Sequence, residues 1–318
     1  MTSTYDCLII GGGPAGLATA LALCRALRTC VIFDNGTYRN ASTSHMHTVL
    51  TWDHHAPHEF RQAAHNELIH GRYKTVAEIV QGNVERVEKQ DDYKFTVTSN
   101  GTTYHGKTIV FASGVEDSLS SIPGLSDGWG ETVFHCLFCH GFEERGSPSA
   151  GLLLDNPMVL GHLVEIAGMA SKLADKVTIY TNGQDFTTMP NPREGDLLAL
   201  QTRLERHGFK FDSRPITKIV AHELSIDLVF DGSQTSHRFL SYFPKQTVRN
   251  KHLMQPLGVK FLPSGHVETL PMGQATHAPG VFVAGDNCTF LQQVSGAINM
   301  GTIAGANVHH HLIRAELP

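Results

Sequence analysis

The sequence predicts an α/β protein built from two Rossmann-like three-layer domains, and three observations carry that prediction. Its length of 318 residues suits two domains at about 150 residues each. The apolar run Leu8-Ile9-Ile10 reads as a buried strand. It feeds the glycine-rich turn Gly11–Gly16 and then the Ala/Leu-rich helical stretch Leu17–Leu27. A second apolar stretch, Cys30–Phe33, ends on Asp34 and completes a strand–turn–helix–strand unit.

Composition narrows the class. Apolar residues make up 41% of the chain, enough for ordinary cores, and the net charge of −5 offers no basic footprint for nucleic acid or an anionic membrane. No run of 18 apolar residues exists, so no spanning helix is expected. Met1–Asp6 lacks the charged and apolar regions of a secretory signal. Six cysteines are too few for a disulfide scaffold, which points to a reducing, cytoplasmic setting.

Between the first unit and the middle of the chain, Asn40–His70 reads as a histidine-rich loop followed by an amphipathic helix around His58–Ile69. Its histidines (His45, His47, His54, His55 and His58) are read as polar loop residues or as the border of a substrate entrance. No spacing among them suggests a metal site. Val76–Lys89, Lys94–Ser99 and Thr102–His105 read as a small antiparallel sheet turning at Asn100-Gly101, and Thr108–Phe111 as a separate buried strand that ends near Gly114. A central domain, 115–245, then carries helices near Leu163–Leu173 and Leu197–His207. Its strands fall at Val177–Tyr180, Ile216–Ala221 and Ile226–Phe230. The strand Gly280–Asn287 and the helix Gln293–Ile313 return the chain to the first domain, so that 1–114 and 246–318 form one discontinuous unit.

Three motifs carry chemistry. Gly11-x-Gly13-Pro14-Ala15-Gly16 opens a helix after a strand, with Asp34 about 20 residues on. Glycines let backbone amides reach a pyrophosphate at a helix N-terminus, and the acid accepts a ribose hydroxyl. A late strand that ends at Gly285-Asp286 sets a carboxylate at a sheet edge and points to FAD rather than NAD. Finally, Cys136-Leu137-Phe138-Cys139-His140 reads as a redox pair able to close a small disulfide. His135 and His140 leave a half-formed zinc knuckle as the other reading of that pair. Cys7, Cys24 and Cys30 read as small apolar residues.

Together these motifs resemble the low-molecular-weight thioredoxin reductase family, a class II pyridine nucleotide-disulfide oxidoreductase fold, over nearly the whole chain. The resemblance implies that Gly11, Gly13, Pro14, Ala15, Gly16 and Asp34 hold the adenosine half of FAD. It assigns Gly285 and Asp286 to the flavin-proximal half, sets Gln293 and Val294 by the flavin pyrimidine, and counts Gly114 among the cofactor-binding residues. It also implies a homodimer, with Cys139 as the flavin-proximal sulfur and Cys136 as the exchanging one.

Two departures mark the central domain as a degenerate NADPH-type domain. Only Gly161 stands where a second glycine fingerprint is expected, with His162 and Leu163 beside it. No arginine follows the strand Val177–Tyr180, where Thr181-Asn182-Gly183-Gln184 stands instead. The residue after the second cysteine is His140 where the family places an aspartate, a group that titrates near neutral pH. In these respects the chain resembles the gliotoxin-type dithiol oxidases of fungal secondary metabolism, whose relatives act in holomycin and aspirochlorine pathways. That resemblance implies catalysis by Cys136, Cys139 and His140. A small-molecule dithiol would be closed to an intramolecular disulfide, with electrons passing through FAD to O2 to give H2O2. The competing expectations are a thioredoxin-disulfide reductase fed by NADPH or another reductant, and a flavin-bearing binding protein with an idle disulfide.

Overall fold

The computed structural model describes residues 4–190, 195–271 and 273–317. The chain divides into two compact units. The first comprises the chain up to Ala41, Thr48–Glu116 and the chain from Gln246 onward; the second comprises Ser42–His47 and Asp117–Lys245.

The first unit begins with β1 (Thr4–Ile10), α1 (Pro14–Arg25), β2 (Cys30–Asp34) and α2 (Pro57–His65). It continues with β3 (Ala77–Gln81), β4 (Val84–Asp91), β5 (Lys94–Ser99) and β6 (Thr102–Phe111). The second unit carries β7 (Val133–Phe134), the one-turn helix α3 (Leu137–His140), β8 (Ala150–Leu153), α4 (Leu163–Leu173), β9 (Val177–Tyr180), α5 (Leu197–Arg206) and β10 (Lys210–Asp212). It ends with β11 (Lys218–Ala221), β12 (Ile226–Phe230), β13 (Ser233–His237) and β14 (Phe239–Tyr242). The chain then returns to the first unit with β15 (Val281–Val283) and the long helix α6 (Val294–Glu316).

In the first unit, β3, β2, β1, β6, β5 and β4 lie in that order, and β15 pairs with the far half of β6. The β3–β2–β1–β6 and β6–β15 pairings are parallel, and β6–β5–β4 is antiparallel. Side chains alternate across this sheet with the period of two that a strand imposes. Cys7, Ile9, Ile32 and Val110 face α1 and α6, whereas Leu8, Ile10, Val31, Ile109 and Phe111 face a second core with Phe95, Val97 and Met254. Three layers follow directly.

The second unit repeats the plan. Its parallel sheet runs β10-β9-β8-β14-β7, with α4 and α5 packed on one face through Leu163, Ala167, Ala170, Leu197 and Leu204. The other face packs Leu153, Tyr180 and Tyr242 against Ile219, Ile226 and Leu228 of the antiparallel set β11-β12-β13. Both units therefore have the α/β architecture that the sequence predicts.

Three details differ from the sequence reading. Val76–Lys89 is two strands broken at Gly82 (φ +152°), and its first part is a parallel edge strand on β2. Thr102–His105 and Thr108–Phe111 are one continuous strand, because β6 must reach both β5 and β15. Ser42–His47 belongs with the second unit, although the sequence reading kept it inside the first.

Helices α1 and α6 meet backbone to backbone. A Cβ at Gly301 would lie 2.2 Å from Ala15 O, and Thr19 Oγ1 donates to Gly301 O at 3.1 Å. Gly301→Val should lower unfolding stability by about 1–3 kcal/mol, as overpacking does. A urea midpoint equal to wild type would refute this close-contact account.

Candidate active site

In the first unit the expected cofactor residues gather at the carboxyl ends of the parallel strands. Gly11 leaves β1 with φ +117°, and a Cβ on it would lie 2.4 Å from Ala112 O. A Cβ on Gly16 would lie 1.9 Å from Gly11 O, so the helix approaches the turn only because none is there. Gly13 occupies the N-cap of α1, and a Cβ on it would meet nothing within 4 Å, which leaves an open approach to the backbone. Pro14 starts the helix and no side chain caps it, so no side-chain oxygen occupies its first-turn amides. An anion is favoured there by both the free donors and the helix dipole.

Asp34 ends β2 and is 1% exposed. Its Oδ1 accepts from Gly36 N at 2.9 Å, and its Oδ2 accepts from the Tyr38 hydroxyl at 2.6 Å. A carboxylate offers about four acceptor positions, so capacity remains for a ribose hydroxyl. The Arg61 guanidinium stacks 3.8 Å from the centre of the Tyr38 ring, and His65 Nε2 lies 3.7 Å from Asp34 Oδ2. Burial and the Asp34 charge push the Tyr38 hydroxyl upward, and burial depresses His65. His65 Nε2 is buried without a hydrogen-bond partner. Gly12 also belongs to this cluster, since a Cβ there would strike Asp34 Cγ at 2.2 Å. Sequence reasoning found Asp34 but missed Gly12, Tyr38, Arg61 and His65; the dipeptide Tyr38-Arg39 just past the acid was the available signal.

On the C-terminal side, Gly285 follows β15 with φ +88°, and a Cβ on it would lie 3.0 Å from that of Ala15. The Asp286 carboxylate accepts from Arg39 Nη1 at 2.9 Å, and the same nitrogen donates to Gln292 Oε1 at 2.6 Å. Gln293 stands at the N-cap of α6 and Val294 opens the helix. Gly114 follows β6, where its carbonyl accepts from Arg249 N at 3.0 Å. Asn287 donates to Phe111 O at 2.8 Å while its Oδ1 is left unpartnered. The backbone cradle at Gly13 and the orphaned polar atoms of His65 and Asn287 fit an elongated ligand rich in phosphate and hydroxyl groups.

In the second unit, Cys136 and Cys139 form a disulfide. Cys136 N-caps α3 in an extended conformation, and Cys139 N and His140 N both donate to its carbonyl. That single turn brings the two sulfurs together. Leu137 anchors it in the core beside Phe134 and Leu163, while Phe138, 66% exposed, points outward. The disulfide joins both sulfurs, and the His135 ring stacks on Trp129. Gly141 admits the turn, because a Cβ there would lie 2.3 Å from Leu137 O and 2.6 Å from Leu173 Cδ1. Arg238 reaches from the start of β14 to Glu144 Oε2 at 2.5 Å and ties down the segment behind α3.

His140 packs its ring against Phe134 at 5.2 Å. Desolvation pushes it down to about 4, with His47 lowering it further and Glu143 opposing. The expectation of a near-neutral titration is therefore corrected: burial keeps this imidazole neutral at physiological pH. His47 Nε2 lies 3.8 Å from Glu143 Oε1. The sequence reading left His47 among the undecided loop histidines and passed over Glu143. Cys7 and Cys288 are pushed up to about 12 by burial, which makes them inert, as the reading of the lone cysteines expected for Cys7.

The nucleotide turn of the second unit differs from the sequence reading in detail. Gly161 lies well past β8, within the 3-10 segment Pro157–His162, so it is not the turn glycine. The residues following β8 include no glycine before it, and Asn156 Oδ1 accepts from Met158 N at 3.1 Å, satisfying an amide that a phosphate would need. Beyond β9, Thr181–Gln184 forms a closed turn beside a cavity of about 320 Å³. The fold brings Arg214 to this edge, which sequence alone did not show. Its guanidinium is bidentate to Asp212, with Nε donating to Oδ1 at 3.0 Å and Nη2 to Oδ2 at 2.6 Å, and it stacks on Phe230. These residues do not fit a pyridine nucleotide.

Residues 5–301 match the family model described as pyridine nucleotide-disulphide oxidoreductase. The chain belongs to that family. Thioredoxin reductase sirT of Leptosphaeria maculans is 38% identical, covering 99% of this chain and 96% of its own. Thioredoxin reductase aclD of Aspergillus oryzae is also 38% identical, covering 96% and 95%. The crystal structure of HlmI superposes with a TM-score of 0.85 at 27% identity, over 100% of this chain and 96% of that one. The oxidoreductase is a flavoprotein with FAD as its cofactor, and the cradle in the first unit fits that group. Among the described residues no helix is long and apolar enough to cross a membrane.

Two outcomes follow. Gly16→Ala should yield protein that has lost most of its yellow colour, with the FAD dissociation constant raised at least tenfold by fluorescence titration; wild-type affinity would sink the close-approach account. His140 is depressed to about 4 in the folded state against about 6.5 unfolded. The unfolded chain therefore binds more protons between these values, and stability falls as pH drops from about 6.5 toward 4. His140→Gln should flatten that slope in urea midpoints taken at pH 5 and 7; an unaltered slope would assign the acid sensitivity elsewhere.

Proposed function

We propose that this oxidoreductase is an FAD-dependent dithiol oxidase that closes an intramolecular disulfide in a small-molecule dithiol of epidithiodiketopiperazine type. One observation carries the reading. A histidine-flanked disulfide, Cys136–Cys139, sits in a unit whose nucleotide turn does not fit a pyridine nucleotide. Electrons must then arrive from a thiol substrate rather than from NADPH.

The chain's own residues supply the exchange and the proton handling. Neutral His140 takes a proton from the first substrate thiol, and the resulting thiolate attacks Cys136 Sγ. The Cys136–Cys139 bond breaks and Cys139 leaves as a thiolate beside the newly charged imidazole. The second substrate sulfur then attacks the first, the bond to Cys136 breaks, and the product disulfide departs. The substrate has lost two electrons, which now reside on the Cys136/Cys139 pair. FAD, when bound, supplies the two-electron acceptor whose reoxidation by O2 gives H2O2. Gly11, Gly13, Gly16, Asp34, Gly114, Gly285, Asp286, Gln293 and Val294 hold it in this reading, and Arg39 orients Asp286. We take the working form as a cytoplasmic homodimer, which sedimentation and cell fractionation test.

The likeness to sirT and aclD, which are named thioredoxin reductases, favours a second reading, a thioredoxin-disulfide reductase fed by NADPH or another reductant. Oxygen uptake by the yellow protein with a panel of dithiols, without nicotinamide, separates the two. The oxidase reading expects uptake with peroxide formed in equal amount. Anaerobic bleaching of the flavin by NADPH would overturn it. Incubated with hydroxyethyl disulfide, Cys139→Ser should carry a mixed disulfide on Cys136 with one 2-mercaptoethanol released, seen by mass spectrometry, whereas Cys136→Ser should carry none. The reverse pattern would exchange the roles of the two sulfurs.

A further inference from the structure

Dithiol oxidation releases two thiol protons, and His140 can take only one of them. The Cys136 thiolate cannot take the second in time, because the attack that frees it already requires the second thiol to be deprotonated. The Cys139 thiolate released in the first exchange could take the second proton only by giving up its charge beside the His140 imidazolium; a second base near the disulfide turn leaves it ionised.

The segment Ser42–His47 clusters with the central unit and brings such a group. Gly130 lets it approach: with φ +90°, a Cβ on Gly130 would lie 2.8 Å from Ser42 O. Met46, 5% exposed, is buried next to His47 in the chain. The His47 side chain is 11% exposed, and its Nε2 faces Glu143 Oε1 at 3.8 Å, ion-pair distance once the imidazole is charged. Glu143 stands one turn beyond His140, on the segment that Arg238 holds through Glu144. The charges of His47 and Glu143 both act on His140, in opposite directions. His47 thus faces a carboxylate three residues beyond His140, next to the disulfide turn.

We propose that His47, oriented by Glu143, is the second base of dithiol oxidation and takes the proton of the second substrate thiol after His140 has taken the first. This rests on the dithiol oxidase reading. Each proton moves from a thiol sulfur to an imidazole nitrogen, and the electron pair passes from the two substrate sulfurs to the Cys136–Cys139 bond. Glu143 is a positioning residue: its charge offsets the repulsion between two protonated imidazoles, so both protons can be held until the product leaves.

A monothiol and a dithiol separate the two bases, because capture of a monothiol by Cys136 needs only the first deprotonation. His47→Gln and Glu143→Gln are compared with wild type under anaerobic conditions. With 2-mercaptoethanol, acid-quenched mass spectrometry follows mixed-disulfide formation. With dithiothreitol, loss of flavin absorbance follows complete oxidation. His47→Gln should leave monothiol capture within about twofold of wild type but slow the dithiol reaction roughly tenfold or more, with recovery on adding imidazole. Glu143→Gln should give a smaller loss in the same direction and shift the pH profile of the dithiol reaction. Equal slowing of both reactions, or of neither, would overturn the assignment. So would a stoichiometric metal in wild-type protein that His47→Gln removes. A wild-type flavin untouched by any dithiol would sink the oxidase reading and His47's role with it. A reactive wild type beside an equally reactive His47→Gln protein would remove only the role of His47.

Discussion

The first unit depends on backbone touching backbone around the start of α1, at places where even a methyl group has no room. Gly16 meets the Gly11 carbonyl, Gly301 meets the Ala15 carbonyl, and Gly285 meets the Ala15 side chain. Three segments far apart in sequence therefore converge on one turn of helix. Tight packing draws α6 onto α1 and sets the end of β15 beside the glycine turn. The same absence of side chains leaves donors bare over Gly13. The contact that stabilises the fold and the one that admits a dinucleotide are thus one steric arrangement, and a substitution there cannot affect one without the other.

Charge around that cradle is held by partners rather than by solvent. Asp34 is almost fully buried, and its carboxylate accepts from Gly36 N and the Tyr38 hydroxyl with the Arg61 guanidinium nearby. Asp286 is held by Arg39, which in turn is fixed by Gln292. A ligand hydroxyl arriving at either carboxylate meets an acceptor already oriented, so little reorganisation accompanies binding.

Local chemistry was legible in the sequence, and distant pairing was not. The fingerprint Gly11–Gly16, the acid at Asp34 and the Cys136–His140 run are short motifs whose function lies in a few adjacent residues, and each lies where the spacing implied. Helix α4 and strands β9 and β12 were read to the residue because their apolar patterns are decided locally. The direction of β3 was missed, since an apolar strand beside β2 pairs equally well on paper as a hairpin partner or as a parallel edge. The Gly161 position was misjudged because a 3-10 segment lengthens the turn without a sequence signature. His47 could not be placed because its role depends on Gly130, more than eighty residues away.

The depressed titration of His140 bears on the state in which the active disulfide waits. A buried imidazole pushed down to about 4 stands neutral at physiological pH, so it can accept a proton, and it passes that proton on readily because burial disfavours its charged form. An oxidised enzyme that waits for thiols needs an acceptor, because only a thiolate attacks a disulfide. Once the proton arrives, the situation reverses. In the proposed oxidase cycle the Cys139 thiolate forms on the residue next to the new imidazolium, each charge stabilises the other, and both affinities move toward the ionised pair. The aspartate of the reductase pattern would be anionic before the thiol arrives and neutral after taking its proton, giving the thiolate no counter-charge. Histidine at this position makes the charge appear with the leaving sulfur, which suits a site that begins each cycle by capturing a thiol.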